Sequence, residues 1–249
     1  SINPIPTQYA VVSELELFGI PEYDPEAHGV DVVVKSPPNV PNTDWLEVYY
    51  DAKGLATGAV TSVTALGGTT ISGSNLGNPQ ISNGAFVFDG TGDCIVSGAT
   101  SLIGNPPLSY SVWFKTNSIS SGSNSIVAIG YAANTESIGF RINSTGHYRF
   151  YVYGSATNES ITTDIIPILG NWVHATVVYD GLKSKLYIDG KFALQNTNTT
   201  TNLNLDSSAK VALGNYIDSS GNITGSASYD GSIANFRLFN RALTQDEIY

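Results

Sequence analysis

The alternation of apolar and polar residues is clearest between residues 171 and 194. Within residues 172–179, one set of alternate positions is apolar throughout, and a side-chain period of two is what a pleated strand requires. A second alternating run, residues 185–188, ends at Asp189-Gly190, a pair that favours the tight type I′ hairpin. The stretch therefore predicts three antiparallel strands joined by two turns.

The same pattern recurs along most of the chain. Alternating runs predict strands at residues 45–51, at 85–96 as two strands broken at 89–93, and at 108–115, 125–131, 137–143, 147–153, 210–216 and 231–240. Residues 52–84, rich in Gly, Ser, Thr and Asn, predict loops and brief edge strands. Thr244, followed by Glu247, predicts a closing helical turn. Roughly a dozen strands with short turns predict an all-β, two-sheet antiparallel jelly-roll sandwich.

The N-terminal 43 residues have a different character. Residues 10–19 alternate as a strand and resemble the last strand of a discoidin-like sandwich, so residues 1–20 are expected to be the remnant of an upstream β domain. Five prolines between positions 21 and 43 exclude a helix or a central strand. We therefore predict a Pro-rich linker at 21–43, with one short strand at 30–35, and the jelly roll at 44–249.

Composition narrows the possible partners. The chain of 249 residues is 41% hydrophobic and 13% charged, which suits a globular β domain with an appendage. Its net charge of −10, with no local cluster of Lys and Arg, disfavours nucleic acid and anionic membranes. An acidic surface suits divalent cations and neutral sugars, and it is equally a common means of keeping a protein soluble.

The single cysteine, the lack of targeting signals and the lack of methionine bear on disulfides, membrane insertion and processing. Cys94 stands alone, so no internal disulfide forms, and its position in an apolar strand predicts a buried thiol. The sequence contains neither a run of ~18 apolar residues nor a basic-then-apolar leader, so it predicts no membrane insertion and no signal peptide. Because methionine is absent, we expect the chain to be a processed or excised part of a larger protein.

Three stretches carry a family resemblance. NWVHATVVYDGLKSKLYIDGKFAL at 171–194, AFVFDGTGDCIVSG at 85–98 and YDGSIANFRLFNRALTQDEI at 229–248 together resemble laminin G-like domains of the concanavalin A-like lectin and glucanase superfamily. The resemblance covers residues 44–249. A weaker resemblance, carried by SPPNVPNTDWLEVYYDAKG at 36–54, links the chain to surface and structural proteins of large DNA viruses that infect algae.

The loop from Asp89 to Asp93 combines two carboxylates with glycines that let carbonyl oxygens turn inward, and Ca²⁺ prefers such oxygen ligands. In laminin G-like domains, this loop and the loop before the last strand often share a structural calcium, which the resemblance places at Asp89, Asp93, Asp230 and Asn235. Ala234 and Asn235 stand where relatives often have acidic residues. The alternative is that Asp89 only forms a turn.

Zinc is not predicted. A zinc site needs three or four His or Cys ligands, whereas His28, His147, His174 and Cys94 fall in unrelated elements. His174 is expected to pack beside the sheet beneath Trp172.

Glycoside hydrolysis is an alternative because the superfamily includes glucanases. Such enzymes need two carboxyl groups about 5 to 10 Å apart. The glucanase members carry them as Glu-x-Asp-x-x-Glu on one strand, and this chain lacks that pattern. Glu14 and Glu16 share a strand face but precede the jelly roll. The sequence therefore predicts no enzyme activity.

Sugar binding needs an aromatic platform and polar groups for the hydroxyls. Alternation places Arg149, Tyr151 and Tyr153 on one face of the strand at 147–153, and Tyr131 is a further candidate. The alternative is that these aromatic side chains fill the sandwich interior.

Taken together, these features predict a noncatalytic recognition module, extracellular or on a virion surface, that binds a glycan or glycoprotein in adhesion or attachment. The first alternative is a structural or attachment component of a virion or surface array that contacts neighbouring copies of itself. A glycoside hydrolase is the least favoured alternative. Asn143, Asn158, Asn198 and Asn222 begin glycosylation sequons, which matter in a secretory pathway or with virus-encoded glycosylation.

Overall fold

The computed structural model describes residues 45–131, 136–154, 158–196, 203–224 and 227–248. These residues form two antiparallel sheets and one short 3-10 helix, Gln245–Glu247, which confirms the predicted all-β sandwich. The predicted upstream remnant (1–20) and linker (21–43) lie outside the described residues, as do Glu14, Glu16, His28 and Asn198.

Sheet I contains nine strands among the described residues. In spatial order they are β15 (Lys191–Gln195), β14 (Ser184–Ile188), β13 (Trp172–Tyr179), β8 (Leu108–Ser118), β17 (Asp230–Phe239), β6 (Ala85–Asp89), β5 (Gln80–Ser82) and β2 (Gly58–Ala59), with β1 (Leu46–Asp51) also paired to β17. One edge of β17 pairs with β8 along its length, and the other is shared between β6 and β1.

Sheet II contains eight strands within the same ranges. Their order is β12 (Asn158–Thr162), β11 (Tyr148–Tyr153), β10 (Glu136–Ile142), β9 (Asn124–Tyr131), β16 (Lys210–Leu213), β7 (Cys94–Ala99), β4 (Gly73–Leu76) and β3 (Ser62–Val63). The chain passes from sheet I to sheet II between β6 and β7, through the loop at 89–93.

The core lies between the two sheets and takes alternate residues from each strand. Phe114 of β8 packs edge-on against Phe140 of β10 at 5.6 Å and against Tyr148 of β11 at 5.8 Å, measured between ring centroids. Burial of large aromatic rings is a main source of stability in such a sandwich. The remaining alternate residues lie on the side of each sheet away from this core, which we call its outer face.

The predicted central meander is confirmed. β13, β14 and β15 pair in sequence, with Ala175 opposite Ile188. Asp189 and Gly190 have φ values of 49° and 73°, the two positive angles that a type I′ turn requires.

Two strand predictions were wrong. β12 was not predicted, because its sequence NESIT is polar at every position except Ile161 and an edge strand does not need an apolar face. β16 ends at Leu213 rather than at residue 216, because Gly214 turns the chain with φ +86°. A Cβ at Gly214 would lie 2.4 Å from the Phe88 ring, so the close packing there depends on glycine.

The closing turn is confirmed at Gln245–Glu247. The Glu247 carboxylate accepts hydrogen bonds from the backbone N–H of Thr244 and from Arg241 Nη1, both at 2.8 Å. The described ranges contain no helix that is long and apolar enough to cross a membrane.

Candidate functional site

A row of aromatic and polar side chains crosses the outer face of sheet I. Strand pairing sets Asp51 opposite Asn235, Asn235 opposite Trp113, and Trp113 opposite His174. Directly paired residues on neighbouring strands project from the same face. Residues from β1, β17, β8 and β13 therefore meet there, although they are far apart in the sequence.

Two tryptophans form the open part of this row. The Trp113 ring stacks on His174, with centroids 5.0 Å apart and an interplanar angle of 29°. Trp172 lies two positions before His174 on β13, and the Lys115 ammonium lies 5.3 Å from the centre of its ring. Trp113 and Trp172 are 41% and 40% exposed, so both indoles present apolar surface to solvent.

Polar groups are held beside the indoles. Asn235 Nδ2 donates to Asp51 Oδ2 at 2.9 Å. The Arg237 guanidinium lies 4.7 Å from the centre of the Tyr49 ring and donates from Nη2 to the Tyr49 hydroxyl at 3.4 Å. The Arg237 Nε is buried and has no hydrogen-bond partner. A carboxylate, an amide and a guanidinium can together donate to and accept from the hydroxyl groups of a ligand.

The charge state of this face depends on His174. Burial lowers the pKa of the His174 imidazole to about 4; Asp189 opposes the shift and Arg237 adds to it. The imidazole is therefore neutral near pH 7.

The C-terminal segment limits the open area. Ala242, Leu243 and Ile248 pack on Val178 and Tyr187 of the same outer face. The backbone N–H of Leu243 donates to the hydroxyl of Ser109 at 2.9 Å, which fixes the segment over β8. One end of the face is thus covered, and the end with Trp113 and Trp172 stays open.

The sequence-predicted ligand residues lie on the other sheet. Arg149, Tyr151 and Tyr153 share the outer face of sheet II, while Tyr148, Phe150 and Val152 enter the core. Tyr151 is only 2% exposed, and it packs in one apolar cluster with the equally buried Tyr131 and with Ile217. Tyr153 is half-buried. The rings of Tyr131 and Tyr151 are therefore covered by protein, and a ligand role for these four residues stays a prediction.

Asp89 lies next to two other predicted calcium ligands, Asp230 and Asp93. Asp89 and Asp230 are paired where β6 ends and β17 begins. The Asp93 carboxylate accepts hydrogen bonds from the backbone N–H groups of Asn78 at 2.7 Å and of Asp89 at 3.2 Å. Asn235 is not part of this group, because it lies five residues after Asp230 along β17, roughly 16 Å away at ~3.3 Å per residue.

This carboxylate group fits a cation only in part. Burial raises the pKa of Asp93, and the charge of Asp89 adds to the shift while backbone N–H groups oppose it, so a cation would relieve a real cost. The Asp230 carboxylate already accepts hydrogen bonds from Asn117 Nδ2, at 3.2 Å, and from the Ser118 hydroxyl. The described ranges contain no group of three His, Cys, Asp or Glu side chains placed to hold one ion. Main-chain carbonyls would have to complete the site, and calcium stays a prediction.

Other predicted positions are scattered. Cys94 is buried, as predicted, in the cluster on the outer face of sheet II. His147 lies just before β11, where its Nδ1 is 3.1 Å from the hydroxyl of Thr145. Of the sequon residues, Asn158 and Asn222 are exposed, whereas the Asn143 side chain accepts a hydrogen bond from the His147 backbone at 2.9 Å.

Sequence reasoning missed Trp113 and Trp172 as site residues. A signal was present, because Trp113 falls on the polar face of its strand, in register with Ser109, Ser111 and Lys115. A large aromatic residue on the polar side of an alternating strand is a candidate for binding rather than for the core.

Comparison with known proteins agrees with this architecture. Residues 89–249 match the Laminin_G_3 family model, described as the concanavalin A-like lectin/glucanases superfamily. A search of curated protein sequences finds no match.

Several solved structures share the fold. The botulinum neurotoxin serotype D binding domain is 15% identical, with a TM-score of 0.63, over 82% of this chain and 50% of that one. Trypanosoma rangeli sialidase, in complex with the inhibitor DANA, is 14% identical, with a TM-score of 0.60, over 96% and 36%. Domain 4 of AbnA, an extracellular GH43 arabinanase from Geobacillus stearothermophilus in complex with arabinotriose, is 18% identical, with a TM-score of 0.61, over 82% and 96%. The chain thus spans half or less of the first two, and identities this low show the fold alone.

Proposed function

The chain belongs to the concanavalin A-like lectin/glucanases superfamily, and we propose that it is a noncatalytic module that binds carbohydrate. The glycan lies on the outer face of sheet I, against Trp113 and Trp172. The module works on an outer surface, extracellular or on a virion, in adhesion or attachment.

The observation that carries this proposal is the pair of exposed indoles. The C–H faces of sugar rings pack on aromatic rings, and sugar hydroxyls need fixed donors and acceptors nearby. Trp113 and Trp172 supply the first requirement, and Asp51, Asn235 and Arg237 supply the second. The glucanase carboxylate pattern is missing from the sequence, which supports binding without hydrolysis.

A glycan array, followed by titration of the best ligand, tests the proposal. Trp113→Ala and Trp172→Ala should each lower the affinity at least about tenfold, because each removes a stacking surface. Phe192→Ala is the matched control, since Phe192 is an exposed aromatic residue on β15, three strands away from β8. The Phe192→Ala variant should bind the glycan as tightly as the wild type does. A ligand that binds both tryptophan variants as tightly as the wild type would show that this face is not the site.

A second candidate function rests on a different surface. Residues 165–169, the apolar loop, carry Ile166 and Ile168 at 58% and 70% exposure, with Ile165 and Leu169 exposed beside them. The loop is held in place, because Pro167 is buried and Gly170 N–H donates to a β8 carbonyl at 2.8 Å. Apolar clusters of this kind mark interaction sites on soluble proteins. This surface favours contact with neighbouring copies in an array.

Sedimentation over a concentration series tests the second candidate. The wild type should self-associate, and the double variant Ile166→Asp, Ile168→Asp should remain monomeric. Ile103→Asp is the control, because Ile103 is equally exposed but lies outside the apolar loop. A wild type that is monomeric at every concentration would argue against the array.

A further inference from the structure

Two arginines face each other on the outer face of sheet II. Arg141 of β10 is the direct partner of Arg149 of β11, so two like charges sit side by side, which is unfavourable. The chain has 21 Asp and Glu against 11 Lys and Arg, so acidic partners are plentiful. Yet the one ion pair in the described part of the chain joins Arg241 to Glu247. Neither Arg141 nor Arg149 is paired with a carboxylate there.

Arg141 is nine-tenths buried, at 9% exposure. Its Nη1 donates to the Tyr216 hydroxyl at 2.8 Å and its Nη2 to the Tyr153 hydroxyl at 3.3 Å. Its Nε is buried without a hydrogen-bond partner. A buried guanidinium that has only neutral partners costs stability, and a bound anion would offset that cost.

An aromatic wall supports the guanidinium. The carbon at the centre of the Arg141 guanidinium lies 5.1 Å from the centre of the Tyr151 ring, and Tyr151 packs against Tyr153 at 4.6 Å. Gly139 makes this possible, because a Cβ there would lie 2.3 Å from the Tyr151 hydroxyl. The wall fixes Arg141 in place before any ligand arrives, which lowers the entropic cost of binding.

The solvent side of this arrangement is partly open. Arg149 and Tyr153 are half-buried, and Arg149 Nε donates to the Ser160 hydroxyl on the edge strand β12. An anion that reached Arg149 would meet Arg141 on the neighbouring strand.

We propose that Arg141 and Arg149 form a binding site for the acidic group of a saccharide, a carboxylate or a sulfate. Guanidinium groups bind such planar or multi-oxygen anions through paired N–H donors. The Tyr153 ring beside them packs against the sugar ring, which favours an acidic sugar over an acidic peptide. The site lies on the sheet opposite Trp113 and Trp172 and stands whether or not those residues bind a glycan.

Titration calorimetry on the full chain tests this site with four probes: a uronic-acid disaccharide, a sulfated disaccharide, the neutral disaccharide and an acidic peptide. At least one acidic saccharide should bind at least about tenfold more tightly than the neutral disaccharide. Its affinity should fall as the salt concentration is raised. The first two probes distinguish the carboxylate from the sulfate. The Arg141 Nε–H NMR signal should shift during the same titration.

Two variants separate ligand binding from folding. Arg149→Gln should lower the affinity for the acidic saccharide at least about tenfold. Arg141→Met should abolish binding without lowering the melting temperature, because it removes an unpaired buried charge. Lys53→Gln, which removes one exposed positive charge elsewhere, is the control and should bind as the wild type does.

Three results would overturn the proposal. These are a folded wild type that binds none of the acidic saccharides, an affinity that survives both arginine substitutions, and an acidic peptide that binds more tightly than the saccharides. A melting temperature that falls sharply in Arg141→Met would instead assign Arg141 to the packing of sheet II.

Discussion

His174 and Trp113 form one stacked pair that sets both the shape and the charge of the open face of sheet I. The imidazole is buried under the indole, and the backbone N–H of His174 donates to Asp189 Oδ1 at 2.9 Å. Because burial lowers the His174 pKa to about 4, the ring is neutral near pH 7, where the face would bind a neutral sugar.

His174 should make stability depend on pH. Its folded pKa, about 4, lies below the ordinary value of 6.5, so the unfolded chain binds the extra proton first. The free energy of unfolding is therefore highest above pH ~6.5. It falls by about 2 to 3 kcal/mol as the pH falls toward ~4. Denaturant unfolding at a series of pH values measures it. His174→Phe, which keeps a ring on Trp113 but cannot titrate, should lose less stability over the same range. Parallel curves for the two proteins would show that His174 does not titrate there.

Calcium binding at the 89–93 loop has its own test. If a cation bridges Asp89 and Asp93, chelator should lower the melting temperature, because the ion offsets the burial and the smaller repulsion from Asp89 that raise the pKa of Asp93. Asp89→Ala should abolish the difference between calcium and chelator. Asp246→Ala, an exposed carboxylate in the closing turn, should retain it. Identical melting curves of the wild type in calcium and in chelator would remove the calcium hypothesis.

Among the strands, those that can be predicted from the sequence are the ones whose local pattern of apolar residues and turn residues determines them. The meander β13 to β15 follows from alternation and from two Asp-Gly turns, and the strand β8 follows from alternation alone, because these signals lie within a few residues. β12 could not be predicted this way. Its polar sequence gains strand structure from pairing with β11, a contact that no local pattern encodes.

The closing turn should contribute to stability through the hydrogen bond between Arg241 and Glu247. The hydrogen bond from Arg241 lowers the pKa of Glu247 to about 2, and the Thr244 backbone contributes to the shift. A depressed carboxyl pKa adds stability above the unfolded value of ~4.3, and that stability is lost as pH falls toward ~2. Glu247→Gln should therefore lower the melting temperature at pH 7, by the equivalent of about 1 kcal/mol or less because the group is partly exposed. Scanning calorimetry at pH 7 and at pH 2 checks this, and a difference that persists at pH 2 would contradict it.

At the scale of the whole molecule, the sandwich presents two outer faces with different chemistry. Sheet I offers exposed indoles beside neutral and charged polar groups, and sheet II offers two arginines over a tyrosine wall. The sequence alone could place Tyr151 and Tyr153 on one strand face. It could not show that Tyr151 is covered, or that Asn235 meets Trp113, because those contacts depend on pairings between distant strands.

The chain's three tryptophans allow the proposed glycan site on sheet I to be tested directly. All three are exposed, and Trp45 differs from the others in lying under the guanidinium of Arg241, 5.6 Å from the ring centre. We would follow the three indole N–H signals by NMR while titrating the best glycan ligand. We expect the signals of Trp113 and Trp172 to shift together while that of Trp45 stays in place. A glycan that binds while both the Trp113 and Trp172 signals remain unmoved would contradict the proposed site.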